Sequence, residues 1–226
     1  DTPNGITFDA RIGGSPLNVA IGLARLGQAV AFFGAVSSGF VGDRLLRAMR
    51  DEGVATTCTW RVDAPATLGL VGLDTRGVPS YAFYGEHAAD RQLPLAALAA
   101  VPPARAYHFG SYAMVVEPVA ATQRALVERE HRRSVIAYDP NIRLNVEPDL
   151  ARWRDTLAWM LPHTHLLKVS DEDLSLLFPG ADHGRLAAAW IAAGVSLVVV
   201  TRGGEGARAW TANHQVSTPP VRVSVV

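Results

Sequence analysis

Short apolar runs alternate with longer amphipathic stretches along most of this chain, and that rhythm leaves few folds open. From the middle onward the pattern predicts strands over 106–109, 135–138, 165–169 and 196–201. Between and after them it predicts helices over 118–131, 150–161, 171–178 and 184–193, with further β structure over 207–210 and 221–226. Strands separated by helices cannot pair as hairpins, so they line up as a mainly parallel sheet with helices on its faces. Upstream, a strand over 7–12 precedes a helix over 16–26, and a strand over 30–36 precedes a helix over 41–52. Ser15 is a candidate cap for the first helix, Pro16 suits its first turn and Gly27 ends it. The rhythm breaks once. Residues 67–74 and 79–84 read as two strands with Arg76-Gly77 turning between them, a hairpin forming a small second sheet off the main one.

Composition narrows the class. With 49% hydrophobic residues in 226, there is enough apolar surface for one large core. Lys plus Arg and Asp plus Glu balance at 21 each, which argues against nucleic acid as a partner. Cys58 is the only cysteine, so no internal disulfide can form, as in a reducing compartment. No apolar run approaches the roughly 18 residues that span a bilayer, and no charged-then-apolar leader opens the chain. The expectation is a cytoplasmic protein without a membrane partner.

Ligands of open α/β sheets gather beyond the carboxyl ends of the strands, and four polar clusters fall there or close by. In Gly13-Gly14-Ser15-Pro16-Leu17-Asn18, two glycines allow close approach to the backbone, and the Asn18 amide can donate to and accept from hydroxyls. A plain turn and helix cap explains the same residues equally well. In Asp139-Pro140-Asn141-Ile142-Arg143, Pro140 steers the chain out of the sheet, and Asp, Asn and Arg project from one loop. Asp139 can hold Mg²⁺ and Arg143 can grip an anion, whereas the bland reading is an Asx turn with a surface arginine. In Lys168-Val169-Ser170-Asp171-Glu172-Asp173, the acidic residues suit a helix start and Ser170 a cap, but Lys168 at the end of a buried strand calls for an anionic partner. Thr201-Arg202-Gly203-Gly204-Glu205-Gly206 has neither the Lys-Ser/Thr pair of a P-loop nor GxGxxG spacing, and read alone it is a glycine-rich turn. HExxH, CxxC and GxSxG are absent from the sequence, and His87 and His108 read as structural or exposed.

Taken in order, GGSPLNVAIGLARLG, DPNIR, KVSDED and TRGGEGA resemble the motifs of the PfkB, or ribokinase-like, carbohydrate kinases, nearest to the fructokinase and 2-keto-3-deoxygluconate kinase branch. The resemblance covers nearly the whole chain. It implies a single three-layer α/β/α domain with a mainly parallel sheet and a small β lid, formed by strands over about 6–12 and 67–85. It implies ATP-dependent phosphorylation of a sugar hydroxyl, with Mg²⁺, a lid pairing in a homodimer, and fructose or a related hexose as acceptor. Gly13, Gly14, Asn18, Tyr84 and Arg143 would contact the sugar. Asn141, Lys168, Thr201, Gly203 and Gly206 would line ATP and its phosphates, and Asp139 and Asp173 would hold the metal through water. The resemblance places the catalytic Asp in a DTxGAGD motif following Val226, and a sugar-binding strand before Asp1. Five positions depart from the family pattern. Ser37 and Gly39 stand where Gly and Asp are usual, the NxxE motif becomes Ser170 and Asp173, and Gly85 stands about where keto-acid kinases carry a lid arginine. Phe83 and Tyr84 keep a nucleoside kinase open, and the departures keep open a non-catalytic sugar-binding relative. A dinucleotide-binding oxidoreductase is the more distant alternative.

Overall fold

The computed structural model describes residues 8–73 and 79–221. Helix α1 (Ser15–Arg25) comes first, then strand β1 (Gly34–Ser37), helix α2 (Phe40–Asp51) and strand β2 (Thr59–Val62). β1 and β2 pair in parallel as a two-stranded sheet, in register from Gly34 opposite Thr59 to Ser37 opposite Val62. Strands β3 (Leu68–Leu73) and β4 (Pro79–Tyr84) form the hairpin, antiparallel from Leu68 opposite Tyr84 to Leu73 opposite Pro79. A 3₁₀ turn over Ala89–Arg91 and a second over Leu95–Ala100 lead into β5 (Ala106–Gly110).

The rest is the expected alternation. After a 3₁₀ turn over Ser111–Met114 come α3 (Val119–Glu130), β6 (Val135–Asp139), α4 (Leu150–Met160), β7 (Leu166–Ser170), α5 (Asp171–Leu177), α6 (His183–Ala192) and β8 (Leu197–Thr201). Two antiparallel strands, β9 (Ala207–Trp210) and β10 (Gln215–Thr218), finish the main sheet, whose order is β10-β9-β8-β7-β6-β5 with β5 to β8 parallel.

The period of two sorts this sheet into unlike faces. Phe109, Ile136, Tyr138, Leu167, Val169, Val198 and Val200 point to one side and are all buried. They pack under Leu126 and Val127 of α3, Trp153, Leu157 and Met160 of α4, Leu174 and Leu177 of α5, and Trp190 of α6. The opposite face carries His108, Ala137, Asp139, Lys168, Val199 and Thr201, each only half-buried or exposed, and α1 contacts β5 from outside the main core. The molecule is thus a three-layer α/β/α fold with a mainly parallel sheet, covered far more completely on one face than on the other. α1, α2 and β1 hold a smaller core of their own around Leu17, Val36, Leu46 and Met49.

Four local expectations change. Residues 8–12 form no strand, because they have no strand partner among the described residues; the start of that expected strand, the Arg76-Gly77 turn and residues 222–226 lie outside those residues. The first helix begins at Ser15 itself, with Gly14 as its cap position and no side-chain cap bond, so Ser15 does not cap it. β1 is shorter than the apolar run 30–36, which begins with an isolated bridge from Ala31 to Ala55. β2 and β10 were not expected: one is TWRV and the other QVST, short mixed runs whose pairing is decided by the strands beside them. Ser170 does cap α5, accepting from the Asp173 amide at 3.0 Å, and Asp149 and Asp182 cap α4 and α6 in the same manner.

Candidate active site

The parallel register sets the first pair of groups. Ala137 lies opposite Leu166, which puts Asp139 beside Lys168 at the carboxyl ends of β6 and β7. Lys168 Nζ donates to Asp139 Oδ2 at 3.0 Å. Asp139 is only 14% exposed at its side chain, whereas Lys168 is 36% exposed. The other carboxylate oxygen, Oδ1, is buried and accepts no hydrogen bond from the described residues. Burial pushes the Asp139 carboxyl above its usual value, Lys168 pulls it back, and the nearby Asp173 charge adds to the rise. A carboxylate with one oxygen paired and the other buried and unpartnered has room for a cation or a donor hydroxyl.

A second carboxylate braces the loop that follows. Asp173 is 6% exposed, and its Oδ1 accepts the Ile142 amide at 3.0 Å. Ser170, Asp173 and the loop after β6 are therefore one hydrogen-bonded unit. Across β5, Ser111 Oγ donates to the Asn141 carbonyl at 3.2 Å. Ser111 and Asn141 both hold positive φ, 59° and 41°, a left-handed backbone that such loops stabilise by local bonds. Gly110 is where the two turns touch: a side chain there would overlap the Asp139 carbonyl oxygen. The far end of the loop is fixed by Glu147, which accepts from the Asp149 amide and pairs with Arg152, while Arg152 also donates to the Val115 carbonyl at 2.7 Å.

Thr201 ends β8, opposite Ser170 of β7 and Ala207 of β9, so it joins the same rim. Gly203 and Gly206 form the turn into β9, in which the Arg202 amide donates to the Gly206 carbonyl and the Arg202 guanidinium holds Glu205. Gly206 has φ 83° and a Cβ there would overlap the Thr218 carbonyl, so β10 crosses directly over it. Of the remaining sequence-derived residues, Arg143 belongs to the loop after β6, whereas Gly13, Gly14, Asn18 and Tyr84 stand apart from this unit. Arg143 is exposed, and its guanidinium donates to the neighbouring Ile142 carbonyl at 2.7 Å. Gly13 and Gly14 are exposed with open space around them. Asn18 lines a groove of about 420 Å³ between α1 and α2, with Ile21, Arg25 and Glu52, and not the Asp139 rim. Tyr84 is 61% exposed at the end of the hairpin.

Sequence reading set His108 aside as structural or exposed and did not single out Gly110 or Ser111. His108 faces the same side of the sheet as Asp139 and Lys168, one strand outward. Packing of its ring lowers its proton affinity even though the residue as a whole is exposed; Asp139 opposes that shift and Lys168 adds to it. Its two-residue offset from Gly110 on a strand was the signal available. Ser111 and Gly110 carried no motif of their own. Among the described residues no cluster of three or more His, Cys, Asp or Glu forms a self-sufficient metal cage. A cation here would depend on ligand oxygens or water beyond Asp139 and Asp173.

A rim of charged groups at the carboxyl ends of parallel strands, with a hairpin standing off the sheet, is the ribokinase-like arrangement of small-molecule kinases. The chain belongs to the pfkB family of carbohydrate kinases, whose family model matches residues 1–226. It is 36% identical over 97% of its length to a fructokinase of Rhizobium leguminosarum bv. trifolii, covering 67% of that protein. It is 31% identical to fructokinase-2 of Zea mays over 95% of its own length and 65% of the relative. It thus spans about two thirds of the length of the curated relatives it matches. Among solved structures, a fructokinase from Xylella fastidiosa superposes with a TM-score of 0.81 at 27% identity, over 92% of this chain and 68% of that one. A Vibrio cholerae O395 fructokinase solved with fructose, ADP and a calcium ion superposes at 0.80 and 26% identity, over 94% of this chain and 70% of that one. No helix among the described residues is long and apolar enough to cross a membrane.

Proposed function

We propose that this protein is a fructokinase, transferring the γ-phosphoryl group of ATP to a hydroxyl of fructose or a closely related hexose. The observation that carries the reading is the Asp139–Lys168 pair at the carboxyl ends of β6 and β7, with Asp139 Oδ1 buried and unpartnered. Phosphoryl transfer asks little covalent chemistry of a protein; it asks for positioning and for charge placed against the phosphoryl oxygens. Lys168, already oriented by Asp139, supplies positive charge on that rim. Asp139 and Asp173 are the residues that would hold Mg²⁺, through water, and the free Oδ1 of Asp139 fits that role. Bound there, the metal would neutralise charge on the nucleotide phosphates. Asp173 also keeps the Asn141–Arg143 loop in place, and Thr201, Gly203 and Gly206 form the neighbouring rim for the nucleotide.

Gly13, Gly14 and Asn18 are assigned to the sugar, and the hairpin β3–β4 to a lid that excludes water as a competing acceptor. Proton removal from the attacking hydroxyl falls to the Asp of the motif expected after Val226. Leu68, Val71, Phe83 and Tyr84 leave apolar surface on the hairpin, which supports its pairing with a second copy in a homodimer. The proposed substrate and the unpaired Cys58 support a cytoplasmic location. The direct test is ADP formation by the full-length protein with ATP, Mg²⁺ and a panel of fructose, other hexoses, 2-keto-3-deoxygluconate and ribosides. Turnover selective for fructose is the expected result, and no ADP above background with any acceptor would overturn the reading.

A further inference from the structure

At the base of the hairpin, a guanidinium stands without a counter-ion among the described residues. Arg91 ends the 3₁₀ turn that follows β4; it is half-buried, and its Nε is buried with no hydrogen-bond partner. Its guanidinium carbon lies 5.7 Å from the centre of the Tyr112 ring, a cation–π distance. The acid next to it is committed elsewhere. Asp90 Oδ1 accepts from Thr67 Oγ1 at 2.5 Å, and Oδ2 accepts from the Tyr112 hydroxyl at 2.9 Å. Burial and the Asp90 charge hold the Tyr112 proton firmly, so that hydroxyl remains a donor to Asp90. Among the described residues Arg91 makes no ion pair or side-chain hydrogen bond.

The place matters as much as the lack of a partner. Thr67 immediately precedes β3 and Gly85 immediately follows β4, so Asp90 and Arg91 sit where both legs of the hairpin meet the main body. Tyr112 lies in the turn directly after β5, and its neighbour Ser111 is bonded to Asn141 of the Asp139 loop. Arg91 therefore stands between the hairpin and the carboxyl edge of the sheet. Space for it comes from Gly85: a Cβ there would lie 2.7 Å from Thr67 Oγ1 and 3.2 Å from Arg91 Nη2. A half-buried guanidinium steered by an aromatic ring, with the adjacent carboxylate occupied, is completed by an oxygen of a ligand.

We propose that Arg91 is a specificity-determining residue that donates to an oxygen of the acceptor sugar beneath the hairpin. This rests on the carbohydrate-kinase reading above. The oxygen belongs either to a hydroxyl of a neutral sugar or to the carboxylate of a sugar acid, and fructose and 2-keto-3-deoxygluconate as paired acceptors distinguish the two. The test measures KM for each acceptor and for ATP in the full-length protein, wild type against Arg91→Met, Arg91→Lys and Gly85→Ala. Arg91→Met is expected to raise the KM of the preferred acceptor by about tenfold or more, the scale of a lost charged hydrogen bond. KM for ATP should stay within about twofold, a split that separates acceptor contact from general damage. Arg91→Lys should recover part of the loss, and Gly85→Ala should raise the same KM with the charge intact. An unchanged acceptor KM in Arg91→Met, or an equal rise in both KM values, would overturn the proposal and make Arg91 a brace for the hairpin. If the wild type turns over no acceptor, the kinase reading fails on that result. Calorimetric sugar binding then reads Arg91 separately: weaker binding in Arg91→Met supports the contact, and equal binding, or none to the wild type, removes it.

Discussion

A side chain at Gly110 would overlap the Asp139 carbonyl, whereas one at Gly13 would meet nothing within 4 Å. These two glycines sit in the two halves of the proposed site, and the contrast extends to their surroundings. Around Gly110 the chain closes on itself: Asp139 with Lys168, Asp173 with Ile142, Ser111 with Asn141. Around Gly13 the residues are exposed, and Asn18 faces a groove beside α2. The side proposed for phosphoryl transfer is thus set by the fold itself, in bonds that exist without ligand. The side proposed for the sugar, in contrast, is a helix entrance whose geometry owes nothing to those bonds. Substitutions in the first region should disturb stability and turnover together, and those in the second should change sugar affinity alone.

The largest effect is expected at Asp139. Asp139→Asn should lower kcat on the order of 100- to 1000-fold, the scale of losing a fixed charge at a reacting group. Stability should move the other way. The folded protein holds the Asp139 proton more tightly than the unfolded chain, whose carboxyl titrates near 3.8. The residue's contribution to stability is therefore greatest below that pH and declines as pH rises through the higher folded value. Asn mimics the protonated form, so the difference in Tm, variant minus wild type, should grow from acidic to neutral pH. A difference that stays flat or shrinks would mean that the Lys168 pairing outweighs burial.

Gly110→Ala against Gly13→Ala tests the contrast most directly. The first should cost about 2–3 kcal/mol in denaturant unfolding, as forced overpacking against a backbone does. The second should stay within about 0.5 kcal/mol, as an open surface position does. Equal effects would erase the distinction between a built region and an open one. Asp173 comes next. Asp173→Ala leaves the buried Ile142 amide without an acceptor, at about 1–3 kcal/mol, and Asp173→Asn restores an oxygen and most of that stability. If both variants are equally stable but equally impaired in Mg²⁺ dependence, Asp173 matters as a charge and not as a brace.

Much of the built region was legible in sequence because strand register and chain direction leave little freedom. Apolar runs such as LVVVT mark buried parallel strands, and whatever follows them emerges on one rim. Ser170 was readable as a cap because capping is local. The bonds that join the rim were not, since Asp173 reaches Ile142 31 residues away and Ser111 reaches Asn141 30 away. No local pattern encodes those pairings; they depend on which strands become neighbours. The same cause hid β2 and β10, whose sequences become strands only beside β1 and β9. It also misled at residues 8–12, where a loosely alternating run finds no edge among the described residues to pair with.

The smallest predicted effect bears on the open region. Asn18 lies in the first turns of α1, whose cap position Gly14 makes no side-chain cap bond, and it is exposed; among the described residues no bond depends on its side-chain amide. Asn18→Ala should therefore leave Tm within about 1 °C, since surface changes without partners are near neutral and alanine favours the helix. If its amide meets sugar hydroxyls, KM for fructose should rise about three- to tenfold with kcat and KM for ATP little changed, the size of one neutral hydrogen bond. A drop in kcat equal to the rise in KM would put Asn18 in the transition state and tie this region to the Asp139 rim after all. An unchanged KM would remove Asn18 from the sugar and leave the groove beside α2 as no more than surface between two helices.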